Sequence, residues 1–513
     1  MAGRTSSFSF KGKNATNVEI GRALNVARVI EGSVRKAGNK VRITVQLINA
    51  ADGYHLWSEA FDRDLTDIFA VQSEIAAKVA QKISGGPTVA ATTATASTTN
   101  LAAHDAYLRG RALQTAGNSA SLAAVAQYEE VVRLDPAYAL AWAQLAQTLG
   151  NRYRSSTDRS EQTAAKARNA TTTALRLNPD LPEAHLAMAL IRFSLDHDLD
   201  AARRELDETE RLRPNFPDVP ATRALLELAR GRWGDGLVSL TVRAVELDPL
   251  NATTIDTMGL RILRFIGRFA DAERLFIRSL ELSPNSRSPI QNRAENYLAW
   301  TGDLSGSLEM LGAGFAADRG KILAQQGKFL PAIAAYEEFR AARASRNART
   351  GSTYSDRVWW IISTFRVGWL EARLGHDARA AELSAETLMA TLQFLKDFPD
   401  ESFGLAQLAT IRAGRGERSE AFQAIDEAMR IETRNHDAGR IVDIPLAKAE
   451  ILTLLGETEA AIAELRAIHE MGYAFGYLLR RELAWEPLRG DANFQQLMKE
   501  AEARADAHPL PKK

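Results

Sequence analysis

Apolar Val41, Ile43, Val45 and Leu47 alternate with Arg42, Thr44 and Gln46, the period-two pattern of a strand that buries one face. Gly38-Asn39 before this run and Asp52-Gly53 after it tolerate positive φ, so the stretch from Val29 to Arg63 predicts three strands joined by two tight turns. From Asp64 to Ile83 the period becomes helical, with Leu65, Ile68, Phe69, Ile75 and Val79 on one stripe. A three-stranded sheet with a flanking helix is a small α+β unit over residues 1–83. Residues 84–100, rich in Thr, Ala and Gly and without charge or period, predict a flexible linker.

Beyond residue 100 the pattern is helical and it repeats. The tetrapeptides RLDP, RLNP, RLRP, ELDP and ELSP place prolines at 136, 179, 214, 249 and 284, at spacings of 43, 35, 35 and 35. A helix–turn–helix unit that recurs every 34 to 35 residues and ends at a proline is the tetratricopeptide pattern. The first interval is longer because Asn151–Ser160 reads as an extended inter-helix turn. The residue before proline is driven out of the α region, which stops the second helix of each unit. Small residues at matching positions, Ala146 and Gly259 among them, let paired helices approach closely.

A second marker continues after the prolines end: a turn glycine followed five residues later by a small residue. It occurs as Gly231/Gly236, Gly267/Ala272, Gly302/Ser307, Gly327/Ala332, Gly375/Ala380, Gly416/Ala421 and Gly456/Ala461. The expected fold is therefore mainly α: a TPR-type α-solenoid, regular over 101–310 and degenerate over 311–513 with a carboxy-terminal cap, behind the small α+β unit.

Composition narrows the chemistry. Lys plus Arg equals Asp plus Glu at 64 each, so no whole-molecule field draws in nucleic acid or an anionic membrane. Residues 1–48 hold nine Lys/Arg against two Asp/Glu, an excess best read as a solvated sheet face. With no cysteine, disulfides, zinc–thiolate sites and cysteine nucleophiles are excluded. The most apolar run, from Val358, is broken by Arg366 and is too short to span a bilayer, and the amino terminus has no apolar signal-peptide core. A cytoplasmic protein is expected.

No constellation of reactive residues stands out. The eight histidines are scattered, and the Asp196–Asp200 cluster falls where a repeat turn calls for polar residues. Gly320–Phe329 has the wrong interval for a phosphate-binding loop, and Gly414-Arg415-Gly416 follows no strand. Trp142, Trp233, Trp359, Trp360 and Trp369 read as core side chains at helical spacing. The expectation is of no catalytic residue, no cofactor and no metal. What remains is surface: Gln147, Glu183, Asp256, Gln291 and Glu295 face a groove by helix geometry and suit the backbone and basic side chains of a protein or peptide partner.

Three stretches, Arg4–Lys13, Glu31–Ala76 and Ala484–Met498, together with the repeats, resemble a family of bacterial signalling proteins. In that family a TolB-like α+β domain joins a tetratricopeptide array to an effector, often an adenylate/guanylate cyclase or a winged-helix DNA-binding domain. The resemblance implies that the sheet is the carboxy-terminal half of a domain whose first half, with the effector, lies outside this chain. A non-catalytic interaction scaffold is the first expectation. The sensory arm of a cyclase-type protein is the alternative, and a transcription-regulator fragment the third.

Overall fold

The computed structural model describes residues 6–7, 10, 14–38, 40–64, 68–84, 98–115, 121–154, 160–284, 286–350, 354–435 and 442–506. Contacts group the chain into two compact units, residues 1–155, 159–223 and 242–251 in the first and 224–241 with 252–513 in the second. It is mainly α, a helical-repeat array of solenoid type preceded by a small three-stranded antiparallel sheet.

Unit 1 opens with α1 (Asn17–Leu24), started by a capping box in which Thr16 and Glu19 satisfy each other's backbone amides. Three ten-residue strands follow, β1 (Arg28–Ala37), β2 (Lys40–Asn49) and β3 (His55–Asp64), in the order β1-β2-β3. The alternation on β2 does what its pattern predicts: Val41, Ile43, Val45 and Leu47 are all buried. They face α2 (Ile68–Ser84), whose Val71, Ile75 and Val79 pack with Ile43, Val45, Trp57 and Phe61. Gly38 and Gly53 hold positive φ, but the second turn is a longer loop built on Asn49 and Asp52, whose side chains accept from the amides of Ala51 and Tyr54. The linker at 84–100 falls mostly outside the described residues, as does most of Arg4–Lys13. Ser6 is described: it is fully buried, its amide donates to Asp248 Oδ1 (3.1 Å), and its Oγ accepts from the Leu250 amide (2.8 Å).

The hairpins of unit 1 are α3 (Leu101–Thr115) with α4 (Ser121–Leu134), α5 (Ala139–Arg154) with α6 (Glu161–Leu177), and α7 (Pro182–Ser194) with α8 (Leu199–Leu212). Helices α9 (Asp218–Ala229) and α10 (Asp235–Leu247) divide between the units. Unit 2 continues with α11 (Ala252–Met258), which runs into a π turn over Gly259–Leu263 and pairs with α12 (Phe269–Leu282). Then come α13 (Arg287–Thr301) with α14 (Leu304–Leu311), α15 (Ala316–Gln325) with α16 (Phe329–Thr350), and α17 (Tyr354–Arg373) with α18 (Asp377–Asp397). Next are α19 (Ser402–Gly414) with α20 (Arg418–Asn435) and α21 (Asp443–Leu454) with α22 (Thr458–Glu470). The chain closes with α23 (Gly476–Arg481), a 3-10 turn over Leu483–Leu488, and α24 (Ala492–Asp506).

Both punctuation marks act as the sequence predicts. The helices α4, α6, α8, α10 and α12 each end two residues before their proline. The intervening residue is extended where its angles are resolved: Asn178 (φ −146°, ψ 96°), Arg213 (φ −138°, ψ 87°) and Ser283 (φ −143°, ψ 74°). All seven turn glycines, from Gly231 to Gly456, adopt positive φ between 69° and 80°. Five of the following small residues, Ala272, Ser307, Ala332, Ala421 and Ala461, are fully buried. One boundary differs. Asn151–Arg154 continue α5 instead of forming a turn, with basic Arg152 and Arg154 favoured in its last turn; Ser160 caps the next helix, and the residues between lie outside the described ones.

Within the hairpins the packing rule has a specific form. A Cβ on Gly259 would meet Phe276 Cε1 at 2.9 Å, and one on Gly320 would meet Tyr336 Cε2 at 3.0 Å. The first helix thus gives up a side chain so that an aromatic ring of the second can lie on its backbone. A turn glycine can be tested separately. Gly416 has φ +76° and nothing near its Cβ position, so Gly416→Ala loads only the backbone. We expect a loss of about 1 kcal/mol in thermal unfolding, against a gain of about 0.4 to 1 kcal/mol for Gly414→Ala, which lies in the last turn of α19 with open space and an ordinary φ.

Candidate functional site

In unit 1 the first helices of successive hairpins present a line of polar groups. Gln147 of α5 donates Nε2 to the Glu183 backbone carbonyl of α7 (2.9 Å), bridging one unit to the next. The Glu183 carboxylate pairs with Arg213 Nη1 (2.6 Å), and its Oε2, buried, has no hydrogen-bond partner among the described residues. On α3 Arg111 donates Nη1 to Tyr107 Oη (3.1 Å). Burial opposes its charge, yet the phenol oxygens of Tyr107 and Tyr128 and the Glu183 carboxylate outweigh that and raise its pKa. Arg111, Gln147 and Glu183, half-buried and backed by the buried Tyr107, therefore form a strip able to meet a carboxylate and backbone amides.

The other three anticipated residues lie in unit 2. Asp256 is buried at 8% exposure, and both its oxygens are used: Oδ2 accepts from Ser288 Oγ (2.5 Å) and Oδ1 from Asn292 Nδ2 (3.0 Å). Burial raises its pKa in spite of those bonds. It ties α11 to α13. Gln291 and Glu295 sit one turn apart on α13; Gln291 Nε2 donates to Asp318 Oδ1 on α15 (3.0 Å), and Glu295 pairs with Arg264.

Around them is a larger ionic cluster contributed by the first helices α13, α15, α17 and α21. Lys321 Nζ lies 2.9 Å from Glu482 Oε1, and Gln325 Nε2 donates to the same oxygen (3.0 Å). Burial works to raise the Glu482 pKa, but Lys321 and Arg366 hold it below the usual carboxylate range. Lys321 in turn is raised by Glu482. Glu450, half-buried, is raised by partial desolvation, with Arg366 opposing. Lys321, Gln325, Tyr336, Arg366, Trp369 and Glu482 enclose a cleft of about 20 Å³, room for one ordered water.

Glu482 is not part of a hairpin. It belongs to the segment from Gly472 to Leu488, which doubles back across the first helices of unit 2. The Ala474 amide donates to the Phe265 carbonyl (2.9 Å). Tyr473 packs between Phe265 and Phe475, with ring centroids 5.1 and 5.6 Å away, and also meets Trp233. Tyr477 packs with the apolar cluster of Leu298 and Phe315, and Arg373 of α17 pairs with Glu486. Phe475, Leu479, Trp485 and Leu488 are buried, so the segment is seated by apolar anchors and aligned by ion pairs.

Burial, with the Glu295 carboxylate adding to it and Lys321 opposing, pushes the Asp318 carboxyl up to about 6. A carboxyl raised in the native state binds its proton more tightly there than in the unfolded chain. Its contribution is therefore favourable at acid pH and falls as pH rises from the ordinary aspartate range through about 6. Asp318→Asn keeps an acceptor for Gln291 and removes the titration. Relative to the parent it is expected to gain about 1 to 2 kcal/mol near neutral pH, discounted for partial exposure, and nothing near about pH 4; urea midpoints across that range check this.

Sequence reasoning missed Arg111, Lys321, Arg366 and Glu482. Arg111 had a signal: Gly110 lies under the Tyr128 ring as Gly259 lies under Phe276, at nearly the same spacing. The Asp196–Asp200 cluster is a turn: Asp196 pairs with Arg168 and Arg192, and Asp198 caps α8. Among the described residues no group of three or more His, Asp or Glu is placed to hold a metal, and no helix is long and apolar enough to cross a membrane.

No family model matches the chain. Over 72 residues it is 51% identical to a protein of Rhizobium meliloti (strain 1021) described as "Putative adenylate cyclase 3"; the match is 14% of this chain and spans only 12% of that protein's length. A tetratricopeptide repeat protein from Parabacteroides merdae ATCC 43184 aligns with 47% of this chain and 92% of its own at 15% identity, with a TM-score of 0.30. YrrB, a TPR protein with an unusual peptide-binding site, aligns over 37% and 90% at 16% identity (TM-score 0.21). The human IFIT1 dimer with PPP-AAAA aligns over 72% and 79% at 15% identity (TM-score 0.37). At these identities and scores, the structural likenesses assign no ligand to this chain.

Proposed function

We propose that the chain is a non-catalytic scaffold whose first-helix faces hold a protein or peptide partner. The observation that supports this most is internal. In unit 2 such a face already grips a chain segment, Gly472–Leu488, through Lys321 and Gln325 on the Glu482 carboxylate and through aromatic anchors. The strip of Arg111, Gln147 and Glu183 in unit 1, backed by Tyr107, offers comparable chemistry on the same helix face. Peptides selected by display against the full chain are expected to carry carboxylates and to lose about tenfold or more in affinity to Arg111→Glu, whose thermal unfolding is checked alongside. Selected binders that ignore both Arg111→Glu and Gln147→Lys would sink the reading.

A second reading is favoured by the 51% identity over 72 residues to the Rhizobium meliloti protein. In it the scaffold is the regulatory arm of a cyclase-type signalling protein whose catalytic part lies outside this chain. The coding sequence upstream is expected to encode, in frame, a strand, a helix and a cyclase domain; noncoding sequence there removes this reading and leaves the scaffold proposal standing.

A further inference from the structure

β1 is an edge strand, and the core face of the sheet does not end where its cover ends. Ile30 pairs across from Leu47 and Val34 from Ile43, so both lie on the face whose β2 residues are buried. Yet Ile30 is 50% and Val34 68% exposed, because the apolar contacts of α2 among the described residues are with β2 and β3, and it meets β1 through Arg28 Nη1, which donates to the Ile83 carbonyl (3.0 Å). The outer backbone edge of β1 has no strand beside it among the described residues. A ten-residue exposed edge with apolar side chains on its core face is a template for another strand.

We propose that this occupant is β1 of a second copy of the chain, added antiparallel about a twofold axis at Ser33 to make a continuous six-stranded sheet. Charge selects the register. With Ser33 on the axis, Glu31 of each copy, which accepts one neutral hydrogen bond from Asn17 Nδ2 (3.1 Å) and has no cation of its own chain bound to it among the described residues, stands opposite Arg35 of the other, giving two cross-strand ion pairs, and Val34 lies diagonal to the other copy's Ile30. A shift of the axis to Gly32 sets Arg28 against Lys36, which is repulsive. The other edge, β3, is a poorer template: its Asp62 is bound by Arg42, its Glu59 by Lys78, and its Trp57 and Phe61 are covered by α2. A β1-to-β3 contact would also fail to close, whereas a twofold contact does.

The test is a sedimentation and light-scattering titration of the full chain with a charge swap. The parent is expected to have twice the chain mass at micromolar concentration. Glu31→Arg and Arg35→Glu, both at exposed positions, each place like charges in opposition and should weaken the dimer by about tenfold. The double variant E31R/R35E restores two opposite-charge pairs and should recover the parent's mass. Circular dichroism confirms that all three are folded. A parent that stays monomeric, a dimer indifferent to the single reversals, no rescue by the double variant, or a ladder of ever larger species would each overturn the proposal.

Discussion

Phe276→Ala is expected to lower the unfolding free energy of the full chain by about 3 to 5 kcal/mol, among the largest single losses this array can show. The ring is fully buried on α12 and lies on the bare backbone of Gly259, where a Cβ would come within 2.9 Å. Nothing on α11 can swell into the space it leaves, since the facing residue has no side chain. Neighbouring Leu263 and Ala272 share the same cluster, so the cavity opens at the seam of one hairpin. Phe276→Leu, which keeps most of the volume, should lose less than half as much. Urea unfolding followed by hydrogen exchange over 252–282 checks both, and equal effects of the two variants would refute the cavity account.

The second large effect is expected at Glu482. Its carboxylate accepts from Lys321 (2.9 Å) and Gln325 (3.0 Å) and balances Arg366, so Glu482→Ala strands two cations beside the buried end of the segment. Removing one partner of a fully buried pair costs about 3 to 5 kcal/mol; Lys321 retains solvent contact, so about 2 to 3 is expected here. Glu482→Gln, which keeps an oxygen for the Gln325 amide, should fall between. Thermal melts supply the number, and exchange protection of 473–488 supplies the location. Loss of stability without loss of protection in that segment would separate the residue from the docking role assigned to it.

What the sequence made legible was whatever has a local cause. A proline stops the helix two residues before it, a glycine reverses the chain at positive φ, and alternating apolar positions bury one side of β2. Depth was less legible. Helix geometry aimed Asp256 at the groove, but Ser288 and Asn292, contributed by the following unit, consumed both its oxygens. Trp233 joined the other tryptophans as helical core, whereas it stands between helices and meets Tyr473 from far along the chain. Least legible was the return of Gly472–Leu488, because a contact such as Gln325 to Glu482, 157 positions apart, leaves no period to read.

That return has a consequence for how the molecule is made. In an open repeat array each unit can settle against the one before it as it leaves the ribosome. Here Lys321 and Arg366 wait for Glu450 and Glu482, and Phe265 for Tyr473 and Ala474, so the middle of the protein stays unfinished until synthesis is almost complete. Early termination before Gly472 should therefore damage units far upstream of the break, and lineages that lengthen this array are expected to insert new units internally and leave the tail intact.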